Sequence, residues 1–149
     1  MATDLIEKLI QQLPPVVVST AYIAGGRQKD IYLLIAKLTV ANGTAVTPYH
    51  VNVIDIANVL GITKAGASSV FFNLRKRGFV TVEHRIKGVG SIYSLNVASD
   101  AGLIVPADSM FVLVDKKKLI ENALKKFREL KRPKYYEFIS KQFNKMIQS

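Results

Sequence analysis

Residues 55–80 read DIANVLGITKAGASSVFFNLRKRGFV, and this stretch predicts two helices joined by a tight turn. The first helix is expected to begin at Asn52, whose side chain can cap it, and to end at Gly61. The second is expected to begin with Thr63 as its cap and to run to about Arg77. Two helices joined by a short turn that contains glycine form a helix-turn-helix.

The period of the apolar residues changes from helical to alternating at Phe79. Residues 79–86 and 91–97 read as two strands, and the glycine-containing segment 87–90 between them predicts a β-hairpin. A hairpin that directly follows a helix-turn-helix is a wing. We therefore expect an α+β, mostly α protein, with a winged helix-turn-helix core and additional amphipathic helices at both ends.

The segments before this core also carry clear patterns. Isoleucine and leucine recur at helical spacing in residues 4–13, which predicts an amphipathic helix. The β-branched residues 16–23 are expected to be extended. A helix that is apolar almost all round is expected over residues 30–42, at the centre of the fold. Residues 44–51 are expected to carry a brief strand.

The segments after the core are a loop, a short strand and two helices. The loop is expected over residues 98–108 and the strand over residues 110–114. A basic helix is expected from Asp115 to Leu130 and a last helix from Pro133 to Ile147. The predicted apolar stripe of the last helix consists of Tyr136, Ile139, Phe143 and Met146. The chain thus divides into an N-terminal helix and arm (1–29), a winged-helix domain (30–97) and a basic helical extension (98–149).

The positive charge is concentrated in two parts of the chain. The 149 residues include 21 Lys and Arg against 11 Asp and Glu, which gives a net charge of +10. Residues 1–61 contribute nothing to this charge, whereas residues 62–97 and residues 98–149 contribute +5 each. A strong positive charge favours a polyanionic partner, either a nucleic acid or an anionic membrane. Half of the positive charge lies on the second helix and the hairpin, and this location favours duplex DNA over a membrane as the partner.

The core resembles winged-helix regulators of the MarR type and their archaeal relatives. DIANVLGITK at residues 55–64 is similar to the ELAxxLGLSK stretch of that family. ASSVFFNLRKRGFV at residues 67–80 is similar to the VSRxLxxLEEKGLV that follows, and Glu83-His84-Arg85 resembles the start of the family's wing. The resemblance covers roughly residues 30–97. It implies a DNA-binding domain with a recognition helix and a wing.

The sequence departs from the family pattern at three places. Gly66 replaces a common Thr or Ser, which removes a polar contact, and Phe72 stands where a polar residue is usual and could pack on a partner instead. The usual acidic pair before the glycine is replaced by three basic residues, Arg75, Lys76 and Arg77. These departures favour strong phosphate contact over direct readout of the bases.

The resemblance implies that residues 63–77 form the recognition helix, which enters the major groove. With its apolar side chains facing the core, the helix presents Lys64, Ser68, Ser69 and Asn73, followed by Arg75, Lys76 and Arg77 at its far end. Asn73 could pair with adenine and Lys64 with guanine, while the two serines could bond bases or phosphates. In the wing, Arg85 and Lys87 flank the tip and would lie along the neighbouring minor groove.

Other chemistries lack a signal in the sequence. The chain has no Cys, which excludes disulfides, thiolate metal sites and cysteine nucleophiles. Its two histidines, His50 and His84, stand outside any ligand pattern, so we expect no metal, catalytic residue, cofactor or small-molecule ligand. We also expect neither a secretory signal nor a membrane span, since no apolar run approaches about 20 residues. The expected location is the cytoplasm, with the nucleoid.

Three functions remain open. The leading interpretation is a homodimeric transcription regulator that binds duplex DNA. The first alternative is a replication, partition or architectural DNA-binding protein, and the second is a protein–protein interaction subunit of a larger assembly. The dimer is expected because a winged-helix core of this size cannot easily bury the apolar stripes of three terminal helices. Its two recognition helices would lie one DNA turn, roughly 34 Å, apart.

Overall fold

The computed structural model of the chain describes residues 2–41, 45–46, 49–107 and 116–149. Over these residues the protein is α+β and mostly helical, with a small antiparallel sheet. The elements are α1 (Ala2–Gln12), α2 (Pro15–Ala24), α3 (Gly26–Thr39), β1 (Val40–Ala41), β2 (Ala45–Val46), β3 (Tyr49–Val51), α4 (Val53–Leu60), α5 (Lys64–Lys76), β4 (Val80–Ile86), β5 (Gly90–Ala98), β6 (Ile104–Pro106) and α6 (Lys116–Gln148).

The two helices predicted around the turn are confirmed as α4 and α5, together with their caps. The side chain of Asn52 accepts a hydrogen bond from the backbone N–H of Ile54 at 2.7 Å and so begins α4. Gly61 ends that helix with a φ of 67°, a left-handed conformation that costs glycine little. Thr63 then accepts from the N–H of Gly66 at 3.0 Å and begins α5.

The predicted hairpin is also confirmed. β4 and β5 pair antiparallel from Val80 opposite Leu95 to Ile86 opposite Gly90. The third strand, β3, pairs with the other edge of β5 and places His50 opposite Ile92. The order β3-β5-β4 puts β5 in the middle of the sheet, and β4, which directly follows α5 in the chain, lies along one edge of β5.

The sequence predicts a loop over residues 98–108, but β6 lies within that segment. Its Val105 pairs with Val97 at the end of β5, where β5 extends beyond its pairing with β3. Backbone groups at this end of β5 need hydrogen-bond partners, and β6 supplies them. The prediction of a loop is wrong here because a strand of three residues has too little local signal to be recognised.

Residues 16–23, for which the sequence predicts an extended segment, are helical and form most of α2. Val17, Ala21 and Ala24 bury one face of this helix, and Pro15 occupies its first turn, where proline is well tolerated. The prediction of an extended segment is wrong because the burial of this face outweighs the weak helix propensity of the β-branched residues. Gly25, with a φ of 75°, separates α2 from α3.

The central helix is α3, as the sequence predicts. Six consecutive residues, Ile31–Ala36, have no exposed surface. The buried hydroxyl of Tyr32 donates to the carbonyl of Asn96 at 2.6 Å and ties the helix to β5. The helix begins earlier than predicted, at Gly26, and ends at Thr39, because the chain then enters β1. The predicted stop at residues 42–43 lies outside the described residues.

The last helix, α6, is divided by a sharp kink. Lys131 has a φ of 64° and a ψ of 168°, which breaks the helix into a first limb (residues 116–130) and a second limb (residues 132–148). The two limbs correspond to the two C-terminal helices that the sequence predicts. The predicted strand over residues 110–114 and the cap at residue 115 lie outside the described residues.

The stripe predicted for the second limb is confirmed at Ile139 and Phe143, and its other two positions are each displaced by one residue. The buried side chains are Tyr135, Ile139, Phe143 and Ile147, whereas Tyr136 and Met146 are only half-buried. The shift brings the hydroxyl of Tyr135 to a buried partner, His50. This partner lies far away along the chain and could not be identified from the helical pattern alone.

One hydrophobic core gathers side chains from all three parts of the chain. Ile6 and Leu9 of α1, Leu13 directly after it, and Phe143 and Ile147 of α6 belong to the same cluster as the central helix. The apolar stripes of α1 and of the second limb are therefore buried within the chain, contrary to our expectation that the core cannot accommodate them. The first limb is half-buried over its apolar residues.

Within the described part of the chain, none of the helices is both long enough and apolar enough to cross a bilayer.

Candidate nucleic-acid interface

A groove of about 450 Å³ separates α5 from the β4–β5 hairpin. Its lining includes Lys64, Ser68, Phe72 and Arg75 of α5, Arg85 of β4 and Tyr136 of α6. Of the described residues that line it, three are Lys or Arg and none is Asp or Glu. The groove is therefore a positively charged concavity between the second helix and the hairpin.

Helical spacing brings the α5 residues of the groove together. Lys64, Ser68, Phe72 and Arg75 follow one another at intervals of three or four residues, which places them on one face of the helix. The opposite face holds Ala67, Phe71 and Leu74 in the core. These four side chains are exposed, whereas Phe71, which also lines the groove, is buried. The predicted division of α5 into a buried and a polar face is thus confirmed.

The other predicted residues of α5 lie outside this groove. Ser69, Asn73 and Lys76 are exposed, but none of them lines the groove. At about 100° of rotation per residue, Asn73 lies a quarter of a turn or more from Phe72 around the helix axis. The structure therefore separates Asn73 from the face that carries Lys64 and Arg75.

Arg77 is engaged in contacts within the fold. Its Nη1 donates to the carbonyl of Ala24 at 3.0 Å and to Oε1 of Gln28 at 2.6 Å. Its guanidinium also lies 4.7 Å from the ring centroid of Phe79. These contacts tie the end of α5 to the corner between α2 and α3, so Arg77 differs from Arg75 and Lys76 in having a structural role.

The turn of the hairpin is held from behind by the second limb of α6. Ile86 and Val89 are buried in a small cluster with Tyr135 and Ile139. The side chain of Asn52 donates a hydrogen bond to the carbonyl of Val89 and so links the turn to the start of α4. Arg85 and Lys87 remain exposed on the other side. The hairpin is thus a fixed platform that presents two basic side chains.

Arg132 is a basic residue of this surface that the sequence analysis does not identify. Its side chain lies across Gly88, and its Nη1 would stand 3.3 Å from a Cβ atom built there. The guanidinium therefore lies against Gly88 in the turn of the hairpin. Only the packing of α6 brings it there, and no pattern in the sequence around residue 132 indicates this position.

Arg27 is a second basic residue that only the packing reveals, and it lies beside the first turn of α5. Nη1 of Arg27 would stand 3.7 Å from a Cβ atom at Gly66, so the start of α3 adds a cation beside the start of α5. A Cβ atom at Gly66 would also approach Oγ1 of Thr63 to 3.1 Å. Glycine at this position thus leaves room for the capping side chain of Thr63.

Over the described residues there is no group of three or more His, Asp or Glu side chains that could hold a metal ion. His50 is buried in β3, where Nδ1 lies 2.8 Å from the hydroxyl of Tyr135. Burial lowers its pKa to about 4, and His84 acts in the same direction. His50 is accordingly a neutral component of the core.

Comparison with known proteins returned no match to this chain among protein families, curated proteins or solved structures.

Proposed function

We propose that this chain is a winged helix-turn-helix protein that binds duplex DNA. In this arrangement α5 enters the major groove, and the β4–β5 hairpin lies against the adjacent minor groove. The observation that carries the proposal is the shared groove, to which α5 contributes Lys64 and Arg75 and the hairpin contributes Arg85. Two separate elements present cations to one concavity without a carboxylate among its described lining residues, as a phosphate backbone requires.

The order and packing of the elements support this orientation. A capped turn joins α4 to α5, and the hairpin follows directly, so both candidate DNA contacts belong to one continuous stretch of chain. The contacts of Asn52 and of the second limb hold the hairpin before any ligand binds. A preorganised hairpin does not have to lose conformational freedom on binding, which favours affinity.

In the cell, the proposed role is that of a transcription regulator associated with the nucleoid. Occupancy of a promoter by the protein would block or recruit polymerase. The proposed active species is a homodimer that reads a pseudo-palindromic site with two copies of α5. Because the apolar stripes of α1 and of the second limb are buried within the chain, the apolar side chains left for a dimer contact include Tyr22 and Ile23, which are 57% and 55% exposed.

A salt titration tests the proposal directly. We expect the full chain to bind a random-sequence duplex, with an affinity that falls linearly as the logarithm of the salt concentration rises. Removal of Lys64 or Arg85 should lower the slope by about 0.9 for each lost phosphate contact. Lys8→Ala is the matched control, since Lys8 belongs to α1 and bonds the carbonyl of Gln148.

Selection from a random oligonucleotide pool distinguishes a regulator from the alternatives. A reproducible inverted repeat supports a dimeric regulator, while sedimentation as a monomer in the bound complex contradicts the dimer. Binding without an enriched motif favours an architectural, replication or partition protein. An absence of salt-dependent binding to any duplex overturns the proposal and leaves the protein–protein interaction module as the remaining alternative.

A further inference from the structure

Phe72 is an exposed aromatic side chain in the middle of a basic surface. It is 53% exposed, whereas its neighbour Phe71 is 4% exposed and belongs to the core. A single exposed apolar residue is common on proteins. This one lies on the helix that we propose to enter the major groove, and it lines the groove between α5 and the hairpin.

The surroundings of Phe72 favour a polyanionic partner. The guanidinium of Arg75 lies 5.4 Å from the centroid of its ring, and Lys64 and Arg85 line the same groove. A groove with three cations and no Asp or Glu among its described lining residues repels other basic surfaces, including a second copy of itself. Nucleic acid, in contrast, offers phosphates for the cations and apolar groups on the bases for the ring.

The position of Phe72 along the helix places it near the outermost line of α5. Ala65 lies seven residues earlier and only about 20° away around the axis, and it is exposed as well. Ser68 and Ser69 lie between them. This line therefore offers a methyl group, two hydroxyls and a ring. Lys76, four residues after Phe72, lies about 40° from it around the axis and adds a cation at the end of this line, whereas Asn73 lies farther round the helix.

We propose that Phe72 recognises thymine through its 5-methyl group. Thymine is the base that presents a methyl group in the major groove, and apolar side chains contact it there. Arg75 holds the ring from one side and leaves the exposed part of Phe72 for the DNA. This inference rests on the proposed function, because it requires α5 to lie in the major groove.

The test compares two duplexes that differ only in the thymine methyl groups. One is an alternating dA-dT duplex of about 20 base pairs, which covers two helical turns in every register, and the other has dU in place of dT. We expect the full chain to bind the dU duplex about fourfold more weakly for each methyl group contacted, as the burial of one such group predicts. Charge and base pairing are the same in both duplexes.

Substitution of the ring identifies the residue responsible. Phe72→Ala should bind the two duplexes equally while keeping its salt dependence, and Phe72→Leu should retain part of the preference. Leu103→Ala is the matched control, because Leu103 is also exposed, at 66%, and lies outside α5. Leu103→Ala should prefer the dT duplex over the dU duplex to the same extent as the unchanged protein. Circular dichroism verifies that each variant is folded.

Several results would overturn the inference. Equal affinity of the unchanged protein for both duplexes excludes thymine recognition but leaves DNA binding intact. Tighter binding to single-stranded DNA that is lost in Phe72→Ala indicates stacking on unpaired bases instead. A change of oligomeric state in Phe72→Ala identifies a protein contact. Failure to bind either duplex at low salt removes the proposed function and this inference with it.

Discussion

Nδ1 of His50 and the hydroxyl of Tyr135 lie 2.8 Å apart, and both side chains are buried. The contact joins β3 to the second limb of α6. The rings also pack against each other, with centroids 5.4 Å apart. Burial raises the pKa of Tyr135 to about 12, so its hydroxyl stays protonated and forms a neutral hydrogen bond with the imidazole, whose tautomer decides which group donates. This pair connects the sheet that carries the hairpin to the helix behind it.

Stability should therefore fall in mild acid. Burial lowers the pKa of His50 from 6.5 to about 4 in the folded protein, so the unfolded chain takes up the proton first as the pH falls. The stabilisation is complete above about pH 6.5 and is lost toward pH 4, by up to about 3 kcal/mol. Urea unfolding between about pH 7 and pH 5 measures this loss of unfolding free energy. His50→Gln should flatten this dependence, and an unchanged slope would contradict the assignment.

Gly90 should not tolerate a side chain. A Cβ atom there would lie 2.5 Å from the carbonyl oxygen of Val51, and the φ of 144° is one that other residues rarely adopt. We expect Gly90→Ala to lose about 3 kcal/mol of unfolding free energy through strain and overpacking. Gly102→Ala is the control. It has a φ of 81° and open space, so it should lose only about 1 kcal/mol.

Arg77 and Lys76 should respond differently to truncation. Arg77→Ala removes hydrogen bonds to Ala24 and Gln28, and we expect a loss of about 1 kcal/mol in thermal or urea unfolding. Lys76→Ala should leave stability nearly unchanged but lower the salt dependence of DNA binding. Equal effects of the two substitutions on stability would show that the Arg77 contacts contribute nothing.

Arg132 should contribute to DNA binding through the tip of the hairpin. Because its side chain lies against Gly88 in the turn, Arg132→Ala should lower the slope of the salt dependence by about 0.9, as for one lost phosphate contact. Lys141→Ala provides the comparison, since Lys141 pairs with Glu137 at 3.0 Å on the same limb. A normal slope in Arg132→Ala would place the DNA away from the tip.

Replacement of Lys131 by glycine should stabilise the folded protein. Its φ of 64° and ψ of 168° lie in a region that is essentially restricted to glycine. We expect Lys131→Gly to raise the unfolding free energy by about 1 kcal/mol through relief of this strain. Lys134→Gly, inside the second limb, should instead lower it by about 1 kcal/mol. A loss of stability in Lys131→Gly would show that the kink is not strained.

Local signals account for the parts of the fold that the sequence predicted well. The side-chain caps at Asn52 and Thr63 and the glycine at residue 61 act over one helical turn. The change to an alternating period at Phe79 likewise marks the hairpin directly. These features depend only on neighbouring residues, so they are visible without knowledge of the fold.

Packing between distant segments accounts for the parts that the sequence missed. Residues 16–23 have a β-branched composition, yet α2 is helical because its inner face is buried. The partners of Arg77 lie in α2 and α3, and those of the hairpin turn lie in α6. The local sequence around each of these residues does not indicate its distant partner.

The sequence by itself determined the α4–turn–α5–hairpin order, the buried face of α5 and the location of half the positive charge. Each of these follows from propensity, capping and periodicity over a few residues. The tertiary structure alone decided which cations share the groove, which one is tied into the fold and where Arg132 lies. Such placements depend on how whole helices pack, because burial of apolar faces is non-directional and is settled by the entire core.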